Sequence, residues 1–70
     1  METNEKKISN NIKALLKRRE ITQEELAKRL GITRRTVIKI VNHPNKYSLN
    51  YLNEIANEIG CNVNEFFLPL

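Results

Sequence analysis

The segment from Thr22 to Thr33 constrains this chain more than any other, because it starts a helix, ends it and starts another. Thr22, with Glu25 three residues on, has the form of a capping box: the threonine oxygen accepts a backbone N–H and the carboxylate reaches back to the cap. Ile21 and Leu26 flank it as a hydrophobic staple, so a helix is predicted to begin at Gln23 and to bury Leu26, Ala27 and Leu30. Gly31 stands where a helix end needs a left-handed residue. Thr33 caps a new helix only two positions later, with Ile32 and Val37 repeating the staple. Two helices joined by so short a link must turn sharply.

The remaining punctuation is of the same kind. Ile8, Ile12, Leu15 and Leu16 recur at helical spacing and predict a leading helix from Glu5 to Arg18. The helix capped by Thr33 runs from Arg34 to Val41 and stops near Asn42, since Pro44 disfavours helical geometry at His43. Ser48 caps a fourth helix with Leu52, Ile55, Ala56 and Ile59 facing inward, and Gly60 ends it. Asn62 with Glu65 caps a short fifth helix through Val63, Phe66 and Phe67. The run from Val37 to Val41 is rich in β-branched residues, yet its cap and neighbours favour helix. The predicted fold class is all-α, with five short helices in one domain over residues 1–70.

Seventy residues support one hydrophobic core and no second domain. With 40% apolar residues, no Trp, two Tyr and two Phe, that core must be aliphatic. A chain this small usually needs a staple or an oligomer contact. One cysteine, Cys61, closes no internal disulfide, and with the single histidine, His43, it falls short of four zinc ligands, which leaves oligomerisation. The chain has no Asp and only two glycines, Gly31 and Gly60, so most catalytic templates and phosphate loops cannot be assembled. The reading is a non-enzyme without cofactor, metal or small-molecule ligand. No apolar run approaches the roughly 20 residues of a membrane span. Met1 leads into a polar stretch rather than a signal peptide, and a lone thiol suits a reducing compartment, so a cytoplasmic location is expected.

Charge gives the first functional clue. Twelve Lys and Arg against eight Glu leave a net +4, unevenly spread: every basic residue lies at or before Lys46, and from Tyr47 onward there are three Glu and none. Between Lys28 and Lys46, six cations (Lys28, Arg29, Arg34, Arg35, Lys39, Lys46) meet no acid, an imbalance expected of a surface facing phosphate. On the third helix, Arg34, Arg35, Ile38, Lys39 and Asn42 fall within an arc of about 140°, with Val37 and Ile40 opposite. That mixture fits the major groove of B-DNA, where arginine forks onto guanine O6 and N7 and an aliphatic side chain meets a thymine methyl.

The stretch from Ile21 to Ile40, with its capping Thr22, Gln23, Leu26-Ala27, turn Gly31 and the inward Val37 and Ile40, resembles the helix-turn-helix of the phage-repressor-like (Xre, or Cro/repressor) family. The leading helix and the Leu52–Phe67 segment match that family's other helices. The resemblance implies a five-helix domain that binds double-stranded DNA as a dimer and regulates transcription, without a cofactor. Carried over by position, it makes Arg34, Arg35, Ile38 and Lys39 base-reading residues. Thr22, Gln23, Thr33, Asn42 and Lys46 become backbone contacts, Gln23 from a helix start where free N–H groups favour an anion. The chain departs from the family in two places. Val41-Asn42-His43-Pro44 stands where Glu and then Gly are usual, and Tyr47 where a Pro precedes the fourth helix.

A single helix-turn-helix buries little DNA, and the usual remedy is a two-fold dimer reading half-sites roughly 34 Å apart. Four of the last five residues, Phe66, Phe67, Leu68 and Leu70, are apolar. With Val63 and Phe66 assigned to the core, Phe67, Leu68 and Leu70 are the predicted dimer interface of a repressor on a palindromic operator. The alternative is a protein-interaction module of the same fold, antitoxin-like or adaptor, whose apolar end binds another protein and for which DNA is secondary.

Overall fold

The computed structural model describes residues 4–68. Among them no strand forms, and four α-helices follow in order: α1 (Asn4–Arg18), α2 (Gln23–Leu30), α3 (Arg34–Asn42) and α4 (Leu49–Ile59). Single 3-10 turns at Pro44–Lys46 and Val63–Phe66 complete the chain. The caps sit where the sequence places them. Thr22, Thr33 and Ser48 each accept a backbone N–H three residues on, from Glu25, Thr36 and Tyr51, at 3.0, 3.2 and 3.1 Å. The capping box at Thr22 is only half made, because the Glu25 carboxylate turns along the helix to Arg29 instead (2.8 Å).

The expected fifth α-helix is a correction. Val63–Phe66 is one 3-10 turn, although Asn62 and Glu65 form a complete capping box around it, with Asn62 accepting from the Asn64 N–H and Glu65 from the Asn62 N–H. Four residues give no second turn over which an α-helix could propagate, and Pro69 keeps Leu68 out of helical geometry. The other difference is an addition. Pro44 opens a 3-10 turn of its own, closed by Lys46 N–H to His43 O and Tyr47 N–H to Pro44 O, both 3.1 Å. The Pro44 ring is itself fully buried, which anchors the loop that the family's glycine usually shapes.

Three helix ends share one solution. Gly31 and Gly60 take left-handed backbone, with φ of 72° and 91°, and the following residue donates back across the last turn, Ile32 to Ala27 O and Cys61 to Ala56 O. The end of α1 does the same without a glycine: Glu20 stands at φ 58° while Ile21 N–H donates to Leu16 O and Glu20 N–H to Lys17 O. This is the paired bonding that satisfies orphan carbonyls at a helix terminus.

The core is one aliphatic cluster with a single aromatic side chain, Phe66, fully enclosed. Ile12 from α1, Leu26 from α2, Val37 and Ile40 from α3 and Ile55 from α4 are its most deeply buried aliphatics. Each such side chain contributes roughly 1.5–3 kcal/mol relative to exposure. Leu30, predicted to be core, is only partly buried and packs at its edge. Val41 is 1% exposed within the cluster. Where the resembling family usually carries a glutamate, this chain adds hydrocarbon to its core.

Candidate nucleic-acid interface

The short link after Gly31 fixes how α3 lies on α2, and burial then divides α3 into two sides. Val37, Ile40 and Val41 are buried. Arg34, Arg35, Lys39 and Asn42 are exposed, and Ile38 among them is 36% exposed. The predicted arc is thus an outward surface, with the helix held by its opposite side.

Its electrostatics are simple. The single ion pair among the described residues joins Arg29 to Glu25, so Lys28, Arg34, Arg35, Lys39 and Lys46 carry their charges without a carboxylate partner there. Arg29, counted with them in the acid-free stretch, behaves differently. It also donates to Glu58 O at 3.0 Å and ties the end of α2 to the last turn of α4. No acidic residue lies in the first turn of α3, so the positive end of the helix dipole adds to the two guanidinium groups. The surface presents ten N–H donors from two arginines, one ammonium and an exposed isoleucine on a rod narrow enough for a groove about 12 Å wide.

The flanking residues take their places around it. Thr22 and Thr33 are exposed, and both hydroxyls are engaged as caps, Thr33 also meeting the Thr36 hydroxyl at 2.9 Å. Gln23 opens α2 and is half-buried, beside an exposed Glu24. Asn42 ends α3, and Lys46 ends the turn that Pro44 anchors, both exposed. Phe67 and Leu68 are 45% and 54% exposed; Leu70 lies outside the described residues. Cys61, the one conceivable nucleophile, is partly buried. Burial, and then the Glu65 carboxylate, push its thiol above the ordinary value while Arg19 pulls the other way, which keeps it in its unreactive protonated form.

Sequence reasoning missed one polar residue of consequence. Asn11 lies on the buried side of α1 and its amide binds the chain end. The signal was present, since at 100° per residue Asn11 falls beside Ile8 and Leu15 on the apolar face.

A helix capped at Thr22, a glycine turn and a second helix with an unpaired cationic outer side define a helix-turn-helix DNA-binding domain. A family model of the Cro/C1-type HTH DNA-binding domain matches residues 11–68, and the chain belongs to that family. No curated protein and no solved structure matches it. Among the described residues no helix is long and apolar enough to cross a membrane, and no group of His, Cys, Asp or Glu is placed to hold a metal ion.

Proposed function

We propose that this DNA-binding domain is a sequence-specific transcriptional regulator that acts as a repressor by occupying a palindromic operator as a dimer. In this reading α3 enters the major groove, where Arg34 and Arg35 fork onto guanine edges, Lys39 reaches a base or phosphate and Ile38 packs on a thymine methyl. Thr22, Gln23, Thr33, Asn42 and Lys46 hold the backbone on either side and set the register. Phe67 and Leu68, with Leu70 beyond them, join two copies so that their recognition helices meet successive grooves. One observation carries the reading: two arginines and a lysine stand free of ion pairs among the described residues on the exposed side of a helix whose other side is locked in the core.

A second reading draws on the exposed Phe67 and Leu68. An adaptor or antitoxin-like module would use the same pair to bind a different protein, with DNA contacts secondary. Selection of bound sites from random duplex, followed by sequencing, separates the two. Enrichment of an inverted repeat with half-site centres one helical turn apart is the expected result; failure to enrich any palindrome sinks the operator reading and favours the adaptor.

A further inference from the structure

Asn11 is 2% exposed, and its Nδ2 donates to two backbone carbonyls at the far end of the chain, Phe66 O at 2.8 Å and Leu68 O at 2.6 Å. The amide has only this orientation available, because reversing it would set Oδ1 against both carbonyl oxygens. Its Oδ1 is buried and has no hydrogen-bond partner among the described residues. A buried acceptor left unpaired opposes folding, and an apolar residue here would simply extend the face formed by Ile8, Ile12 and Leu15. Cohesion therefore does not explain an amide at this position; placement does. Two bonds to residues flanking Phe67 fix the backbone on both sides of it, with Phe66 enclosed in the core and Phe67 and Leu68 facing out.

We propose that Asn11 is a positioning residue that latches the C-terminal segment onto α1 and holds Phe67 and Leu68 in the orientation that meets a second copy of this chain. The inference rests on the dimer reading above and names what prepares that surface. An apolar pair already fixed in place has less freedom to lose on docking. A second copy is the occupant that the charge distribution favours: no Lys or Arg follows Lys46, so two basic chains repel one another least where these ends meet. A recognition helix about 17 Å from a two-fold axis, half the usual half-site spacing, also fits a body of 35 × 22 × 19 Å whose axis runs along its surface.

The test compares the full chain with two variants, Asn11→Leu, which keeps bulk and removes both donors, and the double change Phe67→Ser with Leu68→Ser. Sedimentation equilibrium reads self-association, far-ultraviolet circular dichroism reads the fold, and the 15N heteronuclear NOE of residues 67 and 68 reads the latch in dilute monomer. Asn11→Leu is expected to keep its helix signal, lower both NOE values and weaken association by about tenfold or more. The serine pair is expected to weaken association while the NOE values stay high. Should Asn11→Leu lose its fold, Asn11→Ala makes the same comparison with less steric demand. Weakening by the serine pair alone, with the Asn11 variant associating like the parent, overturns the latch and leaves the dimer reading standing. A parent chain monomeric at millimolar concentration, or association that ignores the serine pair, overturns the dimer reading and the latch with it.

Discussion

Arg34 and Arg35 differ from the other surface cations in what lies behind them: the capped first turn of a helix whose next residues, Val37 and Ile40, are immobilised in the core. Their guanidinium groups are therefore presented from a rigid base. Arg34→Ala and Arg35→Ala are each expected to cost about 1–3 kcal/mol on the selected operator and to relax preference at one base pair, whereas Gln23→Ala should weaken all duplexes alike. Binding isotherms on the operator and its single-base variants measure this, and unchanged selectivity in both arginine variants would refute the assignment of α3. Val41 makes the opposite case. A carboxylate there would enter hydrocarbon with no cation provided for it, so Val41→Glu should destabilise the fold by about 3 kcal/mol or more in urea titration. Cys61 gives a pH test. Its raised thiol pKa means that the folded chain holds the proton more tightly than the unfolded chain. That contribution to stability is complete below the ordinary thiol value and disappears as pH rises through the raised one. Alkylation at mildly alkaline pH should accordingly run slower in the folded chain than in urea.

Helix ends are where the elements differ in what they tolerate. Gly31 has open space around it, and a Cβ there would meet nothing within 4 Å. At Gly60 the same atom would lie 3.1 Å from the Arg19 guanidinium, at a φ of 91°. Gly31→Ala should cost the backbone term alone, about 1 kcal/mol, and Gly60→Ala about 1–2 kcal/mol or more, since it adds displacement of Arg19. Glu20 reverses the argument, because a non-glycine residue already occupies left-handed space there. Glu20→Gly is expected to stabilise by about 0.5–1 kcal/mol, the relief of that strain less the extra freedom of glycine in the unfolded chain. Thermal unfolding of the three variants checks the order. Caps and glycines made α2, α3 and α4 legible in the sequence, because each is a local bond between residues three to five apart. The last element was misread for the same reason: the capping box at Asn62 is real, but a cap cannot lengthen a helix that the chain leaves at Phe67.

For the molecule as a whole, DNA affinity should fall steeply with salt, by about −0.9 in the log–log slope for each phosphate neutralised. Lys39→Ala or Lys46→Ala should each flatten the slope by about one such step if its ammonium lies on phosphate. Arg29→Ala should leave the slope unchanged and lower stability instead, since that side chain binds Glu25 and Glu58 O within the fold. Titrations at several salt concentrations, with parallel urea unfolding, distinguish the two behaviours. Composition placed Arg29 among the phosphate-facing cations, because a count of charges along the chain carries no information about which of them fold inward.

What the sequence determined by itself was everything written in short range: where helices start and stop, which side of each is apolar, and that one helix carries its cations outward. Those properties rest on hydrogen bonds and periodicities spanning a few residues, so neighbours in the chain suffice to state them. The tertiary structure alone decided the matters of long range. It moved Arg29 from surface to scaffold, set Val41 and the Pro44 ring in the core, and joined the Asn11 amide to carbonyls 55 and 57 residues away. Such pairings depend on how the helices pack in three dimensions, and no local pattern of residue types encodes the distance between atoms so far apart along the backbone.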